Sequence, residues 1–347
     1  MSDCALARPD DLPTVVEICS AAFATTHEDV ERWLAMAGHE HLRVVRAGER
    51  VVASLIEIPM GHFWLGRSVP TIGIAGVGCL LEERGRGHTR ELMDGAVRSA
   101  HERGVATSTL FPATQTLYRR SGYERAGLAR KVSIPLSSLA KRARPEGLTT
   151  VRLTEPEQHA QAQSLYGRVA AGQHGHLDRG PYVDQRVRAR HGKETRGFGF
   201  SFDGALEGYL YLRQDHNDPS RMNHDVWLTD VCAATPRAHH AVVRFLFELR
   251  STAENVGFYT PAYSTLLSSL DEAFYEESRF AEWMIRVCHL GAAIEGRGFP
   301  AHVAAGVTLA LRDPLIEAHD GTFRLEVRGG RGTIERTGQR PEATLGI

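Results

Sequence analysis

Two glycines and three arginines lie close together in the stretch EERGRGHTRELM, residues 82–93. A glycine near the start of a helix costs stability and removes a side chain from packing, so its presence here needs another reason. The apolar, glycine-rich segment before it (69–81) predicts a strand, and the segment after it predicts an amphipathic helix. A glycine turn between them would expose backbone N–H groups at the positive end of a helix dipole. The pattern predicts a pyrophosphate-binding loop, with Arg84 and Arg86 adding positive charge.

Three different kinds of loop fit these residues less well. A solvated basic turn would account for the Arg-Gly-Arg-Gly letters alone, but not for the strand and helix that flank them. The dinucleotide-binding fingerprint fails because no Gly-x-Gly-x-x-Gly is followed by an acidic residue about 20 positions later. A P-loop fails because the terminal Gly-Lys-Ser/Thr is missing.

The elements that must position the loop can be read from periodicity. Val15, Ile18, Cys19 and Ala22 repeat at helical spacing and predict a helix from Leu12 to Phe23. A hairpin turning at 47–50 follows, then the strand before the loop, and a helix from Thr89 to Arg103 that ends at Gly104. The segment 106–112 predicts a further strand, and 114–127 a short helix followed by a turn.

The second half of the chain partly repeats the first. A shift of 153 residues lays DVCAATPRAHHAVVRFLFELR (230–250) on the loop region, which pairs Arg84 with Arg237 and Gly87 with His240. The glycines are lost, so His239 and His240 are expected to mark a degenerate loop without a cofactor site. A Pro-, Lys- and Arg-rich linker is predicted at 137–148, and strands separated by Asp/Gly turns follow Gly298.

Composition limits the possible functions. With 41 basic and 42 acidic residues the net charge of the 347-residue chain is −1, which argues against nucleic-acid or anionic-membrane partners. The five cysteines are odd in number and widely spaced, which argues against a disulfide framework. There is no apolar leader or membrane-spanning run, so a soluble, cytoplasmic protein is expected. The segment QHGHLD (173–178) is only a weak metal candidate, so no metal site is predicted.

The loop resembles that of a known enzyme family. Arg84-x-x-Gly87-x-Thr89 is similar to the Arg/Gln-x-x-Gly-x-Gly/Ala loop of the GCN5-related N-acetyltransferases (GNAT), which binds the pyrophosphate of acetyl-CoA. Together with LFPATQTLYRRSGYERAG (110–127), it resembles the Eis (enhanced intracellular survival) acetyltransferases. That resemblance implies an α/β (α+β) chain with a GNAT domain at 1–140, a degenerate second GNAT domain at 148–290 and a partial sterol-carrier-like α+β domain at 298–347.

The resemblance also implies site residues. Tyr118 falls on the family's general acid, and a phenol can protonate a departing thiolate. Ala113 takes the place of a usual serine, so that only its backbone can contact the cofactor. The residues implied in acetyl-CoA binding are Val77, Gly78, Cys79, Arg84, Gly85, Arg86, Gly87, His88, Thr89, Arg90, Ala113 and Thr114.

On the acceptor side, Phe23 and Trp33 match aromatic positions of the family, whereas a carboxylate of the family is replaced by Thr25. The family's base is its C-terminal carboxylate, and its members form hexamers. Because the sequence ends at Ile347, short of a full sterol-carrier domain, we expect a truncated form that binds acetyl-CoA and acetylates weakly. His27 or Glu28 acting through water is the alternative base.

The leading hypothesis is therefore an acetyl-CoA-dependent N-acetyltransferase acting on a small-molecule or peptide primary amine. A binding protein that holds an apolar ligand in the sterol-carrier-like domain is the alternative, and the intact loop in one copy argues against it. A tandem-GNAT synthase of low-molecular-weight thiols is a third possibility, but such proteins lack a third domain.

Overall fold

The computed structural model describes residues 4–189, 195–215 and 223–346. The chain divides into two compact units. The first comprises residues 1–126, 171–182 and 283–347, and the second comprises residues 127–170 and 183–282. No helix of the described residues is both long and apolar enough to cross a membrane. Ile347, on which the expected truncation depends, lies outside the described residues.

The helices are named in chain order. They are α1 (Leu12–Phe23), α2 (His27–Ala37), α3 (His88–Glu102), α4 (Gln115–Arg119), α5 (Pro156–Ala171), α6 (Pro181–Arg188), α7 (Pro236–Glu248), α8 (Thr265–Ser268) and α9 (Leu290–Gly296). The helix predicted from Leu12 to Phe23 is confirmed by α1. The predicted Thr89–Arg103 helix is confirmed by α3, which begins and ends one residue earlier than expected.

The strands follow the same convention. They are β1 (Ala5–Leu6), β2 (Leu42–Ala47), β3 (Arg50–Trp64), β4 (Arg67–Cys79), β5 (Thr107–Leu110), β6 (Glu124–Pro135), β7 (Leu148–Leu153), β8 (Leu177–Asp178), β9 (Arg196–Phe202), β10 (Ala205–Asp215), β11 (His224–Ala233), β12 (Ala253–Thr260), β13 (Glu276–Val287), β14 (Ala305–Arg312), β15 (Gly321–Arg328), β16 (Arg331–Arg336) and β17 (Ala343–Gly346). The predicted hairpin at 47–50 is the β2–β3 turn.

The sheet that positions the loop lies in the first unit. Its strand order is β1-β2-β3-β4-β5, followed by residues 283–287 of β13, and only the β4–β5 pair is parallel. Helices α1 and α3 pack on this sheet. The face that α3 buries has helical spacing and consists of Leu92, Met93, Ala96, Val97 and Ala100.

A buried ionic network fixes α3 to the sheet. Arg43 on β2 donates from Nε to Glu57 Oε1 (2.6 Å) and from Nη2 to Ser99 Oγ (2.7 Å). Arg103, just after α3, donates from Nη2 to Glu57 Oε2 (2.8 Å). A buried carboxylate with a cation on each oxygen holds its partners in one geometry, so the orientation of α3 on β2 and β3 is set here.

The segment 171–182 also belongs to the first unit. Strand β8 pairs with Gly61–His62 of β3, and Ser68 donates to Asp178 (2.6 Å). The Phe63 amide donates to the carbonyl of His176 (2.8 Å). QHGHLD is therefore a strand partner of β3. Nowhere in the described ranges do three His, Cys, Asp or Glu side chains come together so as to hold a metal ion.

The last part of the first unit is a small α+β layer. Its sheet has the order β16-β15-β14-β17, in which β14 and β17 are parallel and the other pairs antiparallel. Helix α9 packs against β16 and against β4. The strand-rich segment predicted after Gly298 is confirmed.

The second unit is built on a sheet with the order β6-β12-β11-β10-β9-β7, whose β11–β12 pair is parallel. Successive side chains of β10 point to opposite faces of this sheet and pack in two different core clusters. Leu210 and Leu212 pack in the cluster that contains α7, while Tyr209 and Tyr211 pack in the cluster that contains α5. The parallel pair β11–β12 of the second unit, with α7 between the two strands along the chain, repeats the β4–α3–β5 arrangement of the first unit.

Candidate functional site

An opening lies between β4 and β5. The two strands pair only from Thr71 with Thr107 to Gly73 with Thr109. Beyond Gly73, β4 continues to Cys79 while β5 ends at Leu110. Residues 74–79 therefore present a strand edge that β5 does not cover, and an extended amide-containing ligand can pair with it.

A β-bulge bends β4 within this opening. Ser54 pairs with Gly78 and Ile56 pairs with Ala75, so that Gly76 and Val77 both lie opposite one residue of β3. Gly76 has φ +62°, and a Cβ there would come within 2.5 Å of the Trp33 ring. The ring thus packs directly on the bulge, which places Trp33 at the opening.

The glycines of the loop are required by their backbone conformation. Gly85 has φ +83° and Gly87 has φ +94°, both in the left-handed region that disfavours side chains. No atom lies within 4 Å of the position that a Cβ would take at either residue. The space in front of the loop is therefore open, and glycine keeps the backbone accessible from that side.

Six consecutive amides of this loop have no partner in the part of the chain that the structure describes. The first backbone bond of α3 runs from the Glu91 N–H to the Gly87 carbonyl (3.0 Å). The N–H groups of residues 85–90 have no hydrogen-bond acceptor among the described residues. Unpaired amides at a helix N-terminus form a binding site for an anion, because each N–H points outward along the positive end of the dipole.

Charged side chains surround these amides. Arg86 Nη1 lies 3.0 Å from Glu83 Oε2, yet its side chain remains 65% exposed. His88 Nε2 lies 3.4 Å from the same oxygen, and Arg90 Nε lies 3.5 Å from Asp94 Oδ2. An exposed ion pair contributes little stability, so these arginines can turn toward a phosphate at little cost. Arg84 is also exposed, at the end of the 3-10 turn that follows β4.

The described part of the second unit lacks such a row of unpartnered amides at the corresponding helix. Helix α7 begins at Pro236, which has no N–H, and Thr235 caps it by accepting from the Ala238 amide (3.2 Å). The carboxylate of Glu207 accepts from Thr235 Oγ1 (2.6 Å) and from Arg237 Nε (2.9 Å). The protein thus supplies its own anion at this helix start.

This corrects the sequence alignment of the two copies. Arg237, His239 and His240 were expected in a loop equivalent to 84–87, but they lie in the first turns of α7. The Thr-Pro pair starts the helix earlier than the glycines do in the first unit. Glu207 and the Thr235 cap, and not a histidine side chain, lie where α7 begins.

Tyr118 lies in α4, which follows β5 after the exposed residues Ala113 and Thr114. Its side chain is 6% exposed, and its ring meets the Tyr123 ring edge-on at 6.3 Å between centroids. Burial raises the pKa of Tyr118 above its ordinary value, and its hydroxyl has no hydrogen-bond partner among the described residues. The phenol is therefore protonated and has no hydrogen-bond partner among the described residues, so it can donate its proton to a ligand.

The turn that follows Tyr118 is anchored from α3. Ser121 Oγ donates to Asp94 Oδ1 (2.6 Å), and Asp94 also faces Arg90 of the loop. The loop that would bind an anion and the helix that carries Tyr118 are therefore joined through one carboxylate. Nothing in the local pattern around Asp94 indicated this link, because its helical position is equally typical of a solvated residue.

The acceptor-side residues are only partly brought together. Phe23 is 54% exposed at the end of α1, so it lies at the surface. Thr25 Oγ1 donates to Asp29 (3.4 Å), and Asp29 is paired with Arg32 (2.7 Å). Trp33 is the one that reaches the opening, where its Nε1 donates to the hydroxyl of Tyr182 (2.7 Å).

Sequence reasoning missed Tyr182, which is 6% exposed and begins α6 with Pro181. It lies 149 residues from Trp33 and reaches it because β8 holds the segment 171–182 along β3. The Gly-Pro pair before Tyr182 marks a turn but does not indicate which strand the segment pairs with.

Comparisons with known proteins identify the domains of the chain. Residues 4–126 and 175–287 each match a model described as an acetyltransferase (GNAT) domain, and residues 290–347 match a sterol carrier protein domain. The chain is a tandem GNAT acetyltransferase. Membership of this family supports the use of acyl-CoA in general, and the open amides of residues 85–90 are chemically suited to the phosphates of such a donor.

Relatives of this GNAT acetyltransferase are found in several bacteria. An uncharacterized N-acetyltransferase of Streptomyces avermitilis is 26% identical over 295 residues, which cover 81% of this chain and 71% of the relative. A crystal structure of a GCN5-related N-acetyltransferase from Anabaena variabilis has a TM-score of 0.89 at 26% identity, covering 99% of this chain and 87% of that one.

The Eis-like architecture predicted from the loop and the Tyr118 segment is supported. The structure of Eis1 from Mycobacterium abscessus has a TM-score of 0.76 at 16% identity and covers 99% of this chain and 86% of that one. At this identity the likeness shows the fold. The boundaries 1–140, 148–290 and 298–347 and the individual site residues remain predictions.

Gly87→Ala should abolish or strongly weaken acetyl-CoA binding. The new methyl group would enter the open space in front of the amides, and φ +94° would no longer be favourable. We expect the dissociation constant measured by calorimetry to rise by at least about tenfold, equivalent to about 1.4 kcal/mol.

Gly104→Ala provides the matched control. Gly104 also has positive φ (+70°) with no atom within 4 Å of a Cβ, but it follows the opposite end of α3. Both variants should lose about 1 kcal/mol of unfolding free energy from backbone strain. Equal acetyl-CoA affinities in the two variants would contradict the assignment of the loop.

Acetyl-CoA should bind once per chain. At the start of α7, Thr235 caps the Ala238 amide, and Glu207 accepts from the Thr235 hydroxyl and the Arg237 side chain. The amides of residues 85–90 have no acceptor among the described residues. Calorimetric titration should give a stoichiometry of one, and the Gly87→Ala variant should show no residual tight site. A stoichiometry of two would mean that Glu207 is displaced by the cofactor.

Proposed function

We propose that the chain transfers an acetyl group from acetyl-CoA to a primary amine in its first unit, with Tyr118 as the general acid. The single observation that carries this proposal is the run of six unpartnered amides at residues 85–90, next to the uncovered edge of β4. A pyrophosphate suits the amides, and the amide groups of a pantetheine arm suit the strand edge.

The arrangement supports a direct transfer. A neutral amine attacks the thioester carbonyl, and backbone N–H groups of the bulged part of β4 would donate to the oxyanion that develops. When the C–S bond breaks, the electron pair goes to sulfur, and the Tyr118 hydroxyl supplies the proton that gives the free thiol. The amine loses its own proton to base or solvent, and Tyr118 is then reprotonated from water.

The environment of Tyr118 suits that role. Because burial raises its pKa, the phenol keeps its proton over the pH range in which an amine becomes neutral. The thiolate it would protonate is the conjugate base of a thiol with a pKa of about 8.5. Because the pKa of Tyr118 lies above that of the thiol, the proton transfer is uphill by itself, so the phenol would act by hydrogen bonding to the sulfur and donating its proton as negative charge develops there.

The acceptor side favours an amine carried on an apolar or aromatic body. Trp33 and Tyr182 form an aromatic wall at the bulge of β4. The nearby carboxylates Glu28 and Asp29 lie at the surface and are both paired with Arg32 (3.8 Å and 2.7 Å). A polyamine would have to compete with that arginine, so a monoamine is the better fit.

The lipid-binding alternative is not favoured, since the matched domains of 4–126 and 175–287 are acetyltransferase domains. The hexamer implied by the family resemblance stays a prediction, which size-exclusion chromatography with light scattering would test.

Tyr118→Phe should lower kcat by roughly 10²-fold, the usual loss when a general acid is removed. Acetyl-CoA affinity and the melting temperature should change little, because the ring remains and the hydroxyl has no partner to lose among the described residues. A thiol-release assay with a primary amine measures the rate.

Tyr123→Phe is the control for removal of a buried phenolic hydroxyl. Its hydroxyl shares a hydrogen bond with Ser108 Oγ (2.7 Å), so its loss should lower stability and leave kcat nearly unchanged. If Tyr118→Phe turned over as fast as the wild type, the acid would have to be another group.

The plot of kcat against pH should rise with pH and should show no descending limb at pH values below about 10. Deprotonation of the acceptor amine raises the rate as pH increases. Because burial raises the pKa of Tyr118, the phenol loses its proton only at a pH above its ordinary pKa. A descending limb of kcat well below that pH would show that a group other than a buried tyrosine supplies the proton.

A further inference from the structure

The backbone of Tyr118 is held by the turn that follows it. The amides of Ser121 and Tyr123 donate to the Tyr118 carbonyl (3.0 Å and 3.1 Å). Between them lies Gly122, with φ +83°. Any shift of Gly122 is therefore transmitted to Tyr118 through two hydrogen bonds.

A buried arginine lies against this glycine. A Cβ on Gly122 would come within 2.8 Å of both Cζ and Nη1 of Arg286, and within 2.9 Å of its Nε. Arg286 is on β13, opposite Ser108 of β5, and is 1% exposed. The Arg286 guanidinium thus packs directly against the backbone of Gly122, and a side chain at position 122 would clash with this guanidinium.

The sterol carrier domain fixes this guanidinium. Arg286 Nη2 donates to both carboxylate oxygens of Asp313 (2.7 Å each). Asp313 Oδ1 also accepts from the amides of Leu315 and Ile316 (3.0 Å and 3.1 Å). Asp313 is thereby held by its own loop, and Arg286 cannot shift without breaking these bonds.

A histidine completes the network. His319 Nδ1 donates to Asp313 Oδ2 (3.0 Å), and its Nε2 accepts from the Leu290 amide (3.1 Å), so the ring is neutral with its proton on Nδ1. Burial alone would raise the pKa of Asp313, but the hydrogen bonds from His319 and Arg286 and the arginine charge hold it below its ordinary range. The ion pair therefore persists at neutral pH.

This network is costly as a purely structural feature. Nε and Nη1 of Arg286 are buried without a hydrogen-bond partner among the described residues. A buried ion pair is often replaceable by apolar side chains without loss of stability, and unsatisfied buried donors add a further cost. A rigid, flat guanidinium does provide one thing that aliphatic side chains do not, which is a fixed planar surface against Gly122.

We propose that Arg286 is a positioning residue for Tyr118, and that Asp313 of the sterol carrier domain sets its place. The third domain would thereby control the acetyltransferase site through the chain Asp313–Arg286–Gly122–Tyr118. This inference rests on the proposed role of Tyr118 as the acid.

Arg286→Lys is the test variant. Lysine keeps the positive charge for Asp313 but loses the planar surface beneath Gly122. We expect kcat to fall about 10- to 100-fold, as is usual when a catalytic group is displaced by about 1 Å, with the acetyl-CoA dissociation constant unchanged. Wild-type kcat in a folded Arg286→Lys variant would overturn the proposal.

Arg324→Lys is the matched control. Arg324 also lies against a glycine, since a Cβ on Gly306 would come within 2.8 Å of its Cζ. It belongs to β15 of the sterol carrier domain, to which Asp313 also belongs. Its replacement should leave kcat unchanged. An equal fall of kcat in both variants would mean general damage to the sterol carrier domain and would overturn the proposal.

The same substitution in a Tyr118→Phe background separates the two ideas. If Arg286 acts through Tyr118, Arg286→Lys should lower kcat no further when the hydroxyl is already gone. Additive losses would overturn the positioning role while leaving the acid role intact. Normal turnover by Tyr118→Phe alone would instead remove the acid role, and with it the proposal.

Hydrogen exchange on the wild-type protein gives a readout that needs neither activity nor a folded variant. The amides of Ser121 and Tyr123, bonded to Tyr118, should open with the same free energy as those of Leu315 and Ile316, bonded to Asp313. In a folded Arg286→Lys variant, the amides of Ser121 and Tyr123 should in addition exchange faster than in the wild type. Independent opening of the two pairs in the wild type would overturn the coupling.

Discussion

The candidate site depends on a row of backbone amides that have no hydrogen-bond partner among the described residues. Residues 85–90 expose six N–H groups because Gly85 and Gly87 adopt positive φ and α3 starts only at His88. Unsatisfied donors are a cost that a fold tolerates where a ligand satisfies them. The ion pairs of Glu57 with Arg43 and Arg103 fix α3 on the sheet, so the exposed amides face a constant direction.

The second unit shows how the same arrangement is closed. A parallel strand pair and a helix recur there, but α7 starts at Pro236 under a threonine cap, with Glu207 as the resident anion. Helix dipole and strand geometry are alike in the two units. The presence or absence of an anion site is decided by a few local choices, which are positive-φ glycines in one unit and a Thr-Pro start with a carboxylate in the other.

Tyr118 is held from two sides that differ in origin. Asp94 reaches the turn from α3 through Ser121, so the helix that would meet the cofactor also carries a link to the acid. Arg286 supports the turn from below and is itself fixed by Asp313. A five-residue helix such as α4 has little stability of its own, so its position depends on these contacts and on packing against Tyr123.

The sequence by itself determined the features whose cause is local. The spacing of apolar residues predicted α1 and α3, and the Arg84–Gly87 loop predicted an anion site between a strand and a helix. Motifs around Tyr118 indicated the acetyltransferase fold, which the matched domains support. Tertiary structure alone decided that Tyr182 meets Trp33 across 149 residues, that Glu207 occupies the start of α7, and that Arg286 lies beneath Gly122. Periodicity and turn chemistry report on neighbours in the chain, whereas these contacts arise from strand pairing and burial, which bring together residues that carry no local signal of each other.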